Sequence, residues 1–253
     1  MNSLWLHPHE LSADGSVKLS NPQDLRIEHL SKTLRPQVGQ QLKAFIVNQG
    51  NCLVEVIELS ESDFTLKIKQ RLQSFETIPG QATTPASLTL LVGLSRPQTI
   101  KKVLELGTTM GVSRFLFVPA ELSEKSYGTS KVFGQVELEK HLLLGLAQSA
   151  CLFQLPEVHV LKSSRQIEKY VENSKKYLCS LTDKHERALL PKDSSEAITI
   201  AIGPERGWTN MEEENFLKLG FQRLGLYSTT LRVEAAVVSA LTQWFLGLES
   251  KHD

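Results

Sequence analysis

Two short stretches hold the residues best suited to chemistry. The first is Ile202-Gly203-Pro204-Glu205-Arg206-Gly207-Trp208-Thr209, which follows the apolar run 197–202 and leads into a capping box from Thr209 to Glu212. A glycine-flanked turn at the carboxyl end of a parallel strand is where α/β sheets take ligands, because side chains there are small and amides point outward. An ordinary tight strand-to-helix turn is the competing reading of the same residues. The second stretch, Leu226-Tyr227-Ser228-Thr229-Thr230-Leu231-Arg232-Val233-Glu234, follows the run 221–227 and sets Arg232 and Glu234 two apart where a last helix should begin. Arg232 could contact a phosphate or offset charge that develops in a transfer reaction. The plainer alternative is a solvated arginine beside a helix-start glutamate favoured by the macrodipole.

Both loops require a sheet to present them. From Leu88 onward, short apolar or β-branched runs at 88–92, 114–118, 157–161, 177–181, 197–202 and 221–227 alternate with helical patterns. Ile100, Val103, Leu104 and Gly107 share one helical face, and a longer pattern runs from Lys131 to Cys151. This rhythm predicts a mostly parallel sheet covered on both sides. From Val233 to Leu248, Ala236, Val237, Ala240, Leu241, Trp244 and Phe245 form a stripe too wide for a solvent-facing helix, which predicts burial under the sheet or at a dimer interface. The first third reads differently. Runs at 41–47, 52–59 and 64–72 are joined by Asn48-Gln49-Gly50-Asn51 and Ser60-Glu61-Ser62-Asp63, both turn chemistry, and predict a small barrel or curled sheet. Residues 74–87 are polar, with two prolines and a glycine. The expected division is therefore a first domain at 1–75, a linker at 76–87 and a second domain at 88–253.

Composition narrows the class of function. Of 253 residues, 41% are hydrophobic and 22% charged, which excludes a disordered, collagenous or coiled-coil chain. Lys plus Arg equal Asp plus Glu at 28 each, and residues 1–85 hold 8 basic and 9 acidic side chains, so a nucleic acid would have to meet a local patch. Cys52, Cys151 and Cys179 are widely spaced without a C-x-x-C pair, which argues against a disulfide framework or a zinc site and fits a reducing cytosol. The N-terminus lacks a signal-peptide pattern and no apolar run reaches membrane length, so a soluble cytoplasmic protein is expected, with no membrane partner. His7-Pro8-His9 lacks further ligands, and no metal is expected. The segment 103–111 superficially matches the glycine-rich motif of Rossmann-type methyltransferases. It is preceded by helical spacing rather than a strand, so Gly107 or Gly111 is read as a helix end. Lys67 and Lys69 lie on the polar face of a strand, where a solvated face is the default reading.

Taken together, GPE-x-G after one strand and LR-x-E after the next resemble the SPOUT-class methyltransferases. The likeness is closest to the RsmE family, whose members methylate N3 of a uridine in bacterial small-subunit ribosomal RNA. It extends over nearly the whole chain. His29-Leu30-Ser31-Lys32-Thr33-Leu34-Arg35 with Val38-Gly39 is similar to the opening of that family's PUA-like barrel. Met110-Gly111-Val112-Ser113, Ser123-Glu124-Lys125, Ala147-Gln148-Ser149-Ala150 and Leu155-Pro156-Glu157-Val158 match further family segments in part.

The resemblance implies an α/β protein with an N-terminal PUA-like, RNA-binding β-barrel and a C-terminal α/β trefoil-knot domain. It implies a homodimer that uses S-adenosyl-L-methionine (SAM) and acts on ribosomal RNA or the small ribosomal subunit. Ile202, Gly203, Pro204, Glu205, Gly207, Leu226 and Leu231 would hold the cofactor. Arg232 would stabilise charge as N3 loses its proton, Glu234 would orient it, and Lys32 and Arg35 would contact RNA. The chain departs from the family pattern at Arg206 (the second glycine of GPEGG), at Tyr227-Ser228 (a Gly-Pro), at Cys151 (an arginine), at Thr109 (a glutamate) and at Leu4-Trp5-Leu6 (an arginine-rich start). The change at Cys151 removes five donors and a permanent charge. Two alternatives follow from these changes: a homologue that binds RNA or a ribosomal particle without methyl transfer, or a methyltransferase with a shifted RNA target.

Overall fold

The computed structural model describes residues 1–60, 63–72, 87–180, 196–226 and 228–249. Tyr227 and all of the 76–87 segment except Ser87 lie outside the described residues. The chain divides into two compact units, Met1–Pro79 with Leu143–Leu155, and Gly80–Leu142 with Pro156–Asp253.

The first unit is a curled half-barrel sheet of five strands. They are β1 (Leu4–Leu6), β2 (Ser16–Leu19), β3 (Gln41–Ile46), β4 (Gly50–Leu59) and β5 (Phe64–Leu72), in the order β1-β3-β4-β5-β2. Val54, Val56, Phe64 and Leu66 are buried on the inner face, as the period-2 alternation requires. Register shifts at Leu53/Val54 and Val56/Glu58 bend β4 and curl the sheet. The short helix α1 (Leu25–His29) brings Arg26 into the interior. Its guanidinium donates to the Trp5 carbonyl at 3.0 Å and pairs with Glu10 and Asp24, each at 2.6 Å. A buried arginine is tolerated because every side of its fork meets an acceptor. Residues 143–155 complete this unit: Leu143, Leu146 and Ala147 pack on Trp5, Phe45 and Val47, and Asn51 Nδ2 donates to the Cys151 carbonyl at 2.8 Å.

The second unit is a six-stranded, all-parallel sheet. Its strands are β6 (Leu88–Gly93), β7 (Arg114–Val118), β8 (Glu157–Val160), β9 (Lys175–Cys179), β10 (Ile198–Ile202) and β11 (Gln222–Leu224), in the order β11-β9-β10-β6-β7-β8. Every residue of β6 and β10 is buried, the reason these strands read as unbroken apolar runs. On one face Leu91, Leu116, Leu178 and Ala201 meet Ile167, Val171 of α4 (Glu168–Val171), Phe216 of α5 (Asn210–Lys218) and Phe221. Elsewhere α2 (Pro97–Thr109) packs against α6 (Val233–Glu249), and α6 against β10. Ile100, Val103, Leu104 and Gly107 are all buried on α2. Gly107 lies inside that helix, where a Cβ would meet Phe115 at 2.7 Å, whereas Gly111 takes the left-handed conformation (φ +84°) after its end.

Helix α3 (Gln135–Ser149) contributes its start to the second unit through a charged cluster. Buried His141 Nδ1 lies 2.6 Å from Glu105, its Nε2 lies 3.2 Å from Glu137, and Lys101 lies 2.5 Å from Glu137. Hydrogen bonds from Lys101 and His141 hold the Glu137 carboxyl at about 2, below its ordinary 4.5. The pairing therefore stabilises the fold above pH 4.5, and that contribution is lost as pH falls through about 2. Glu137→Gln should melt below wild type near neutral pH, and the gap should close over that acid window in scanning calorimetry.

Candidate functional site

Because the sheet is all parallel, the carboxyl ends of its strands share one edge. There β9, β10 and β11 each run into a loop, and these loops wall a cavity of about 350 Å³. That volume falls in the range of about 300–1,000 Å³ typical of small-molecule sites. β9 supplies Cys179 and Ser180; the loop after β10 supplies Ile202 to Trp208; the loop after β11 supplies Leu226 and Thr229 to Leu231. Val233 and Ala236 of α6 and Glu213 of α5 close it.

The loop after β10 is packed too closely to admit side chains at two points. A Cβ on Gly203 would stand 3.0 Å from the Gly207 Cα and 3.2 Å from the Trp208 nitrogen. A Cβ on Gly93, at the end of β6, would stand 2.5 Å from the Pro204 Cδ and 3.1 Å from the Trp208 ring. Gly207 adopts φ +73° and its amide donates to the Pro204 carbonyl at 2.8 Å, closing the turn. Thr209 then caps α5: its hydroxyl accepts from the Glu212 amide at 3.3 Å and its own amide donates to Glu212 at 2.9 Å, the reciprocal box expected from the sequence. Trp208 is braced edge-on by Phe216, with ring centres 4.9 Å apart.

All seven residues singled out in these loops, Ile202, Gly203, Pro204, Glu205, Gly207, Leu226 and Leu231, line the cavity. Arg206 lines it too, with an exposed side chain. Arg232 is exposed and lies in the chain between the lining residues Leu231 and Val233. Glu234 takes a partner that spacing alone did not suggest, Lys102 of α2, at 3.1 Å. Its own amide at the start of α6 and the Lys102 ammonium hold its carboxyl below the usual range, so it is ionised. Lys32 and Arg35 belong to the first unit. Lys32 is exposed and pairs with Glu28 at 3.0 Å; Arg35 is exposed with φ +45° at the end of a π-turn, Leu30–Leu34. Lys67 and Lys69 are paired with Asp14 and Glu55.

Sequence reasoning missed the β9 wall. Ser180 Oγ is buried and has no hydrogen-bond partner among the described residues, a polar atom facing a cost unless a ligand or water meets it. Half-buried at the cavity wall, Cys179 has its thiol pushed up to about 12 by desolvation, which favours the protonated form. Only the position of β9 beside β10 marks either residue, and no local motif does so. Among the described residues no cluster could hold a metal ion, and no helix is long and apolar enough to cross a membrane.

A family model described as an RNA methyltransferase domain matches residues 82–244. The ribosomal RNA small subunit methyltransferase E 1 of Borreliella burgdorferi is 28% identical over 218 residues, covering 86% of this chain and 88% of the relative. The corresponding Treponema pallidum enzyme is 27% identical over 231 residues, covering 86% and 81%. Among solved structures, a ribosomal RNA small subunit methyltransferase E from Neisseria gonorrhoeae bound to SAM superposes with a TM-score of 0.70 at 21% identity, covering 96% of this chain and 95% of that one. A Legionella pneumophila protein in complex with SAM as bound cofactor gives 0.74 at 18% identity, covering 97% and 98%.

The two glycines of the turn should respond differently to a methyl group. Gly203→Ala meets backbone and should cost about 1–3 kcal/mol through overpacking. Gly207→Ala has open space but a left-handed backbone, and should cost about 1–2 kcal/mol through strain alone. Denaturant midpoints of the two variants check both values.

Proposed function

Since the chain belongs to the RsmE family of RNA methyltransferases, we propose that it transfers a methyl group from SAM to N3 of a uridine in small-subunit ribosomal RNA. The observation that carries this reading is the cavity at the carboxyl edge of β9, β10 and β11, walled by both motif loops. The chain's residues fit the cofactor. The absent Cβ atoms of Gly93 and Gly203 let the loop after β10 close on β6 and on itself to shape the cavity wall, and the buried Ser180 hydroxyl offers a donor and an acceptor at its edge. Ile202, Gly203, Pro204, Glu205, Gly207, Leu226 and Leu231 would hold SAM, largely through backbone. Bound there, SAM supplies an electrophilic methyl group on a sulfonium centre.

The protein's task is then to manage the uridine. Its N3 proton must leave as the methyl arrives, and negative charge spreads to O2 and O4. Arg232, exposed at the rim of the second loop, is the group assigned to stabilise that charge; it cannot itself take the proton, which passes to solvent water. Glu234 fixes the start of α6 beside it through Lys102. Lys32 and Arg35 are assigned to RNA phosphate. Protonated Cys179 gives no support to a mechanism through thiolate addition to the ring. The reading extends to a cytoplasmic homodimer with a knotted second domain.

The reading of an RNA-binding homologue without transfer is motivated by Thr109, Cys151 and Tyr227, where the chain lacks groups that the family pattern has. One experiment separates them. Purified protein, small-subunit RNA or particles and labelled SAM should yield N3-methyluridine by nucleoside mass spectrometry. Binding of RNA without incorporation would favour the inactive reading, and a different modified nucleoside would shift the target. Arg232→Ala should lower turnover by about 100-fold or more, the scale of losing one charge-stabilising group, with SAM affinity little changed. Equal turnover in variant and wild type would remove Arg232 from its role.

A further inference from the structure

Helix α2 touches both motif loops, the first at its start and the second one turn further on. At its start, Arg96 contributes no side-chain cap, and Pro97 has no amide hydrogen to satisfy. The cap comes from far along the chain. Glu205 Oε1 accepts from the Arg96 amide at 3.0 Å and from the Thr99 hydroxyl at 2.8 Å. One oxygen of the Glu205 carboxylate is thereby held at the positive end of α2, which fixes how the residue stands in the cavity wall. On the following turn, Lys102 lies 3.1 Å from Glu234, in the first turn of α6 and two residues from Arg232. Thr99 and Lys102 are three apart and so share a face of the helix. The helix is itself immobilised, with Ile100, Val103 and Leu104 buried and Gly107 against Phe115.

We infer that α2 is a two-point brace that sets the separation of the two cavity loops, with Thr99 positioning the first through Glu205 and Lys102 positioning the second through Glu234. The inference deepens the reading of the cavity as the SAM site and rests on it. Because one contact holds the loop that would carry the cofactor and the other holds the neighbourhood of Arg232, the two should separate kinetically. Thr99 governs SAM affinity, and Lys102 governs turnover.

The test uses the full chain, with SAM titrated calorimetrically and kcat and KM measured for methyl transfer. Thr99→Val should weaken SAM binding about fivefold, the equivalent of one net hydrogen bond, while Thr99→Ser, which keeps the hydroxyl, should stay within about twofold of wild type. Lys102→Met should lower kcat several-fold and leave SAM affinity within about twofold. In ligand-free protein, amide exchange across Gly203 to Trp208 should be faster in Thr99→Val than in Thr99→Ser, at similar melting temperatures. Unchanged SAM affinity and unchanged exchange in Thr99→Val would overturn the brace, as would a Lys102→Met variant with wild-type kcat. If wild-type protein binds no SAM, the reading of the cavity fails, and the exchange comparison alone decides whether the brace stands.

Discussion

The cavity depends on one close approach, that of the loop after β10 to the end of β6 and to itself. At Gly93 and Gly203 there is room for hydrogen only, since a Cβ at either would stand 2.5 to 3.0 Å from its nearest neighbour. This approach seats Pro204 and Trp208 against the sheet, turns the chain at Gly207, and aims it into the capping box of α5. It also brings Glu205 to the start of α2, where its carboxylate completes that helix. A bulkier loop would lift away from β6 and lose the cap together with the cavity wall. The glycines matter here for volume as much as for dihedral freedom.

The elements were legible wherever pattern alone determines them. Continuous apolar runs marked β6 and β10 because both faces are covered, alternation marked β4 and β5 because one face is wet, and the buried set on α2 was readable from its spacing. Strands β1 and β2, of three and four residues, are too short to show a period and went unread. Helical period likewise carried no sign that Leu143–Leu155 belongs with the first unit, because α3 continues through the boundary without a break. The motif loops could be read as candidates, but their anchoring could not. Glu205 and Thr99 are 106 residues apart, Lys102 and Glu234 are 132 apart, and the unpartnered hydroxyl of Ser180 follows a strand with no motif of its own. Such contacts follow from strand order, which spacing along a chain does not encode.

Charge is arranged locally in both units, consistent with a chain of zero net charge. In the first unit Arg26 is consumed internally, Lys67 and Lys69 pair with Asp14 and Glu55, and the proposed RNA contacts Lys32 and Arg35 are both exposed. In the second unit Arg206 and Arg232 stand exposed at the motif loops, where the family pattern has a glycine at the first position. Arg206 therefore returns a positive charge near the cavity while Cys151 removes one elsewhere. The balance suits a protein that recognises RNA through a few placed cations rather than through a broad field.

The central claim is that the cavity between the loops after β9, β10 and β11 takes SAM. Its most direct test is a calorimetric titration of SAM into wild-type protein and into Gly203→Val, with folding of both checked by circular dichroism. The account predicts saturable binding at one site per chain in wild type and loss of binding in the folded variant. Absence of binding to folded wild-type protein, or equal binding by the variant, would contradict it.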